Sequence, residues 1–209
     1  MKVHWNIGLN NIVLHCLEGV LERFQPKEPE TMKRDIDILF VGSILPRREN
    51  FLNKLQSHFN IKICQAFGTE MSQLFNRAKI VLNIHADEFL DTETRIYEAL
   101  GCGAFIISEK LSSENPFISG KHLIEVENID EIKSQISYYL LHNDEREKIA
   151  AAGHLEASLN HSYDSRAEEL LVTFNKFMGM NKTESYNYTG LMLYSKFEKI
   201  RNYIQLHIR

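Results

Sequence analysis

Ile36-Asp37-Ile38-Leu39-Phe40-Val41-Gly42-Ser43 is the stretch that decides the fold. A short β-rich run, apolar almost throughout, is stopped by Gly-Ser. Such continuity fits a parallel strand covered on both faces, since a half-solvated strand would alternate with polar residues. Apolar residues then recur at helical spacing in 47–59, at Phe51, Leu52, Leu55 and Phe59. A second strand is expected over 61–65, stopped at Phe67-Gly68. A helix over 70–78 places Met71, Leu74 and Phe75 on one face, and a third strand follows over 79–84. The pattern continues with a helix over 94–101, strands over 104–108 and 122–126, and a helix over 130–141 with an acidic first turn. Strand and helix alternating at short intervals predict an α/β protein. Its core would be a Rossmann-like parallel sheet with helices on both faces.

Outside this core the chain reads differently. After Leu141 it becomes helical, over 144–160 and 165–177, with His142-Asn143-Asp144 as the turn and N-cap between helices. Residues 181–190 form a polar linker, and 194–208 have helical spacing with basic ends. Upstream, Val13, Leu17, Val20, Leu21 and Phe24 suggest a helix over 12–24, which Pro26 and Pro29 break. Residues 25–35 read as a polar linker. Three segments result: an N-terminal helical and linker segment (1–34), the α/β domain (35–178), and a linker with a C-terminal helix (179–209).

Composition narrows the function classes. The chain has 209 residues, 44% of them hydrophobic and 25% charged, as expected of a globular domain. A net charge of -4 offers no electrostatic reason to expect nucleic acid or an anionic membrane as partner. Cys16, Cys64 and Cys102 are widely spaced and form no CxxC pair, so they read as reduced core thiols, with no disulfide framework or zinc site. No apolar run approaches the roughly 18–20 residues that span a bilayer. Met1 to Asn6 lack the layout of a signal peptide, so a cytoplasmic location is expected. The acceptor patterns at Asn181 and Asn187 then read as chance.

In an open parallel sheet, ligands bind outside the carboxyl ends of the strands. The residues to weigh are therefore Gly42-Ser43, Ala66-Phe67-Gly68, His85-Ala86-Asp87 and Ser108-Glu109. The helix opening at Thr94 would aim its N-terminus at the same edge, where unpaired N–H groups suit phosphate. Arg95 adds a forked cation, and Glu98 lies one turn further on. A cation beside a carboxylate suits a diphosphate next to a sugar ring. The plain alternative is a surface ion pair of little energetic weight. Arg47-Arg48 open a helix where they could reach phosphate or form a solvated face. Asp87, Glu88, Asp91 and Glu93 form an acidic run without metal-ligand spacing, which reads as a solvated loop. Gly42-Ser43 is not the dinucleotide fingerprint, and no Walker A sequence is present.

Thr94 to Ser108 (TRIYEALGCGAFIIS) resembles the R-x-F/Y-E-A-L-A-C-G-A-F-x-x-S signature of GT-B glycosyltransferases, and most closely the CgeB-like spore-maturation group. Phe40-Val41-Gly42-Ser43 with Arg47-Arg48-Glu49, then Leu82-Asn83-Ile84-His85, agree in order and spacing. So do the runs beginning at Asn115, Asn143 and His161. The resemblance covers roughly 35–174. It implies the C-terminal, donor-binding half of a two-domain enzyme. It also implies that Glu98 contacts the nucleotide ribose, Arg95 lies by the diphosphate, Gly42-Ser43 lines the cleft and the segment of Phe67 and Gly68 lies near the base. With Arg47, His85 and Thr94, these are the candidate donor-site residues. Many related enzymes carry a second glutamate eight positions before the ribose residue. Leu90 stands there here, so no retaining mechanism is inferred. The resemblance implies no metal and no cofactor, with a nucleotide-diphosphate sugar as donor substrate.

Residues 1–34 are too few for the Rossmann-like acceptor domain of such enzymes, so an acceptor-binding partner domain or protein is expected. Three readings stand: a sugar transferase, a nucleotide-sugar-binding module without turnover, and another α/β nucleotide enzyme such as an epimerase.

Overall fold

A computed structural model describes residues 3–4, 13–14, 24–27, 33–87 and 92–180, with side chains over 24–27, 33–87 and 92–173. The chain divides into two units, Met1–Ala167 and Glu168–Arg209. The first holds the sheet and the candidate site residues. Of the second, the described part is the end of a helix, in which Thr173 Oγ1 donates to the Glu169 carbonyl at 2.8 Å. The expected linker over 181–190 and helix over 194–208 lie outside the described residues.

The elements, in order, are β1 (Val3–His4), β2 (Val13–Leu14), β3 (Ile36–Val41), α1 (Pro46–Gln56), β4 (Ile61–Cys64), α2 (Gly68–Arg77), β5 (Ala78–Asn83), α3 (Thr94–Gly101), β6 (Ile106–Glu109), β7 (Ile124–Val126), α4 (Ile129–Leu141), α5 (Asn143–Asn160) and α6 (Tyr163–Met180). β3 to β7 form a five-stranded sheet in the order β4-β3-β5-β6-β7, parallel at every pairing. The sequence-based expectation of a doubly wound α/β sheet is what the structure shows. Alternation along the strands explains the two layers. Leu39, Val41, Val81 and Ile106 face one core with Met71, Phe75, Ile96 and Leu100 from α2 and α3. Ile38, Phe40, Ile80, Leu82 and Ile107 face the other with Leu52 and Leu55 of α1 and Ile132 and Ile136 of α4.

The strand order matters for the site. The chain starts at β3, steps outward to β4, then crosses back to β5 and continues the other way. The reversal point lies between the carboxyl ends of β3 and β5, which is where open α/β sheets form their ligand crevice.

Local departures from the expected elements have local causes. Ala104 precedes β6 because the end of α3 uses it: Gly103 sits at φ 66°, its N–H reaches the Leu100 carbonyl, and the Ala104 N–H reaches that of Ala99, while the Phe105 carbonyl accepts from the Val81 N–H of β5. This double closure is a Schellman motif, and the left-handed residue it requires is the glycine. Ala78 opens β5 where a helical residue was expected, since α2 starts earlier, at Gly68, and ends at Arg77. His122 and Leu123 belong to the turn before β7, with the His122 N–H bonded to the Ile118 carbonyl. The Asn143 side chain does not cap α5 but accepts from Arg146 Nη2, because that buried guanidinium needs acceptors.

At the N-terminal end, Val13–Leu14 pair antiparallel with Val3–His4, which corrects the helical reading there. A ladder partner, with Val3 opposite Leu14 and His4 opposite Val13, makes it a strand. The rest of 12–24 lies outside the described residues, apart from Phe24, which is fully buried. The polar 25–35 stretch is fastened where it is described. Asn76 Nδ2 donates to the Gln25 carbonyl, and Arg34 donates to the carbonyls of Ala78 and Gly103, each at 2.6 Å.

Candidate functional site

The carboxyl edge of the sheet gathers Arg47, Arg48, Arg95, Glu93 and Glu109 at the reversal point. β3 ends at Val41, and Gly42 continues it with φ 155° while its N–H donates to the Cys64 carbonyl of β4 at 2.9 Å. The guanidinium of Arg95, from the first turn of α3, lies directly against Gly42. A side chain there would put Cβ 2.9 Å from Nη2 and 3.1 Å from Cζ. The backbone angle favours glycine here, and any side chain would displace the arginine tip. The Arg95 guanidinium also faces the Phe40 ring, at 5.9 Å from its centroid. Burial pushes its pKa down from the ordinary value and Glu93 acts against that; a guanidinium stays charged regardless.

Glu93, the residue before α3, bridges two arginines. Its Oε1 accepts from Arg48 Nη2 at 2.6 Å and its Oε2 lies 3.1 Å from Arg95 Nη1. Arg48 is itself buried. It donates through Nε to the Ile84 carbonyl at the end of β5 and through Nη1 to the Ser43 carbonyl after β3. One side chain from α1 therefore ties together the two strand ends that flank the reversal.

A second charged knot lies beside it. Glu109, at the end of β6, accepts both terminal nitrogens of Arg47, at 2.8 and 2.6 Å, and the backbone N–H of His85 at 2.7 Å. Arg47 also donates to the His85 carbonyl at 2.9 Å, and its guanidinium covers the Phe51 ring. The His85 ring is buried, with Nε2 2.8 Å from the Lys110 carbonyl. Arg47 and His85 thus hold β5, β6 and α1 in register at the ligand edge.

Thr94 is exposed at the mouth of α3, and Glu98 follows one turn after Arg95, half-buried. Ile96, Tyr97, Ala99 and Leu100, on the opposite side, fill the core. This is why the helix presents Arg95 and Glu98 outward together. Phe67 and Gly68 lie at the exit of β4 on the same edge, at the start of α2. Phe67 is 81% exposed and Gly68 has φ 56°. Cys102, inside the motif, is no nucleophile: burial pushes its thiol up to about 12. Among the described residues, no three His, Cys, Asp or Glu side chains gather as metal ligands.

The sequence matches the family model described as glycosyl transferase-like over residues 32–172. The chain belongs to this glycosyl transferase-like family. It is 30% identical over 144 residues to uncharacterized protein R358 of Acanthamoeba polyphaga mimivirus, covering 64% of this chain and 50% of that protein. Sucrose-phosphate synthase from Thermosynechococcus elongatus superposes with a TM-score of 0.62 at 12% identity, over 80% of this chain and 52% of the synthase. Anabaena HepE in complex with UDP-glucose gives 0.52 at 14%, over 66% and 40%. The pneumococcal O-GlcNAc transferase GtfA, in complex with UDP and GlcNAc, gives 0.52 at 13%, over 74% and 38%. These likenesses establish the GT-B glycosyltransferase fold. The chain spans about half the length of the proteins it matches.

Within this glycosyl transferase-like domain, sequence reasoning passed over three groups. Glu93 read as part of a solvated acidic loop, yet it pairs with Arg48 and Arg95. Arg48 read as one of two alternatives, yet it is the buried tie across the reversal. Glu109 was noted only for its place after a strand. The available signal for Glu93 was its position: an acid before a helix start, two residues ahead of an arginine, next to the ligand edge.

Proposed function

We propose that this chain is the donor-holding half of a glycosyltransferase, which moves a sugar from a nucleotide-diphosphate sugar to an acceptor. The observation that carries this reading is Arg95, held against Gly42 at the strand reversal with the N-terminus of α3 behind it. In the proposed site, Arg95 and the first N–H groups of α3 stabilise the charge growing on the leaving diphosphate. Glu98 accepts from the ribose hydroxyls, as acidic side chains do in dinucleotide sites. The exposed Phe67 ring, with Gly68 beside it, offers a stacking face for the base. Gly42 and Ser43 form the floor, and Thr94 the lip. Arg47 and His85 act on the donor indirectly, by fixing the edge.

The HepE and GtfA complexes with UDP and sugars make UDP-sugars the first donors to test. In this reading the transferase is hexosyl-directed, of the CgeB-like group, works without a cofactor and takes its acceptor on a partner domain or protein.

Titration calorimetry with UDP-, GDP- and dTDP-sugars tests the donor site, and absence of binding for all of them ends the reading. Arg95→Ala should weaken binding of the diphosphate at least about tenfold, the effect of losing a charge-assisted pair, while free uridine is little changed. Equal loss for both would make Arg95 structural. Glu98→Gln should weaken uridine as well as UDP. Binding without transfer or hydrolysis, even with a partner supplied, would make the chain a nucleotide-sugar-binding module.

A further inference from the structure

We infer that Glu93 is an internal stand-in for the donor's diphosphate, holding Arg95 until the nucleotide displaces it. The inference rests on the donor-site reading above and adds a residue that sets donor affinity. Three observations carry it. First, Glu93 holds its two arginines unequally. Oε1 makes a hydrogen bond of 2.6 Å with Arg48, whereas the 3.1 Å approach of Oε2 to Arg95 Nη1 is an ion pair without hydrogen-bond alignment. Nη1 of Arg95 is buried with no hydrogen-bond partner among the described residues. Second, Arg48 has two further acceptors, the carbonyls of Ile84 and Ser43, so it stays in place whatever Glu93 does. Arg95 has no comparable backbone anchor among the described residues and rests on Gly42 and Phe40. Third, Glu93 precedes α3 and thus sits where that helix N-terminus would receive an anion.

A carboxylate and a phosphate cannot both take the same guanidinium without repelling each other. Donor binding therefore requires the Arg95 half of the bridge to let go while the Arg48 half persists. Until a donor arrives, Glu93 offsets the cost of two arginines side by side at a partly buried edge. Its presence lowers donor affinity in exchange for keeping Arg95 aimed and ordered.

Glu93→Gln removes the charge but keeps an amide oxygen for Arg48. Calorimetric titration of the full chain with UDP and with uridine reads the effect. UDP is expected to bind about fivefold more tightly than to the wild type, the factor equivalent to an ion pair worth about 1 kcal/mol, with uridine unchanged. Glu93→Ala, which also removes the acceptor, should shift UDP in the same direction. Unchanged or weaker UDP binding in both variants overturns the inference and leaves the donor site standing, with Glu93 as a positioning residue. If neither wild type nor variants bind any nucleoside diphosphate, the donor-site reading fails and takes this inference with it.

Discussion

Gly42 shows how much one position can carry. Its φ of 155° disfavours any side chain, and a Cβ would press into the Arg95 guanidinium. Gly42→Ala should cost about 1–2 kcal/mol of stability from backbone strain, read by urea denaturation. It should also weaken UDP binding, because the arginine must swing aside. A variant of wild-type stability and affinity would show that the contact is dispensable. Glu93 and Glu109 carry the complementary lesson. Both are acidic, and both are defined by the arginines they hold. Nothing in residue type separates them from Glu127 or Asp130, which stay exposed.

Helices are set by their ends and by the faces they bury. α4 opens on Asn128, whose Oδ1 accepts from the N–H groups of Asp130 and Glu131 at 3.1 and 3.0 Å. Glu131 returns a bond to the Glu127 N–H at 2.8 Å. Asn128→Ala should therefore cost about 1 kcal/mol, measurable as a lower denaturation midpoint. α5 lies against α3 and the turn before β7 with no room to spare. A Cβ on Gly153 would land on the His122 carbonyl oxygen and 2.8 Å from Leu100 Cδ2. Because the oxygen is backbone, Gly153→Ala should destabilise by about 2–3 kcal/mol despite the better helix propensity of alanine. A stabilised variant in thermal unfolding would refute the close packing of α5.

The sheet unit as a whole should respond to acid through His122. This ring is 3% exposed and accepts the Ile118 N–H on Nδ1 at 3.3 Å. Around it stand Glu156 of α5, at 4.0 Å from Nε2, Lys121 in its own turn, and Phe117; His161 shares Glu156 at 3.4 Å. Burial holds the His122 pKa below its ordinary 6.5, with Glu156 opposing and Lys121 adding to the effect. The unfolded chain then binds the proton more readily. The stability contribution is complete above pH 6.5 and is lost as pH falls through the folded value. Melting temperature should fall on acidification below that point, and His122→Asn should flatten the response. An identical pH profile in the variant would assign the effect elsewhere.

Apolar periodicity and glycine placement sufficed to read β3 to β7, α1 to α5 and the α/β class from the chain itself. Burial on both faces leaves a continuous apolar run, and helix spacing survives in a linear string. The same local logic placed Gly42, Arg95 and Glu98 at the ligand edge, since strand ends and helix starts are local features. Strand order was not legible, because which strand neighbours β3 depends on contacts far apart in sequence. With it went the reversal between β3 and β5, and the partners of each charge there. Arg48 meets Ile84 and Glu93, and Arg47 meets Glu109, across 36 to 62 residues of sequence. Those pairings decide which arginine is left for the proposed donor, and they exist only once the sheet has closed.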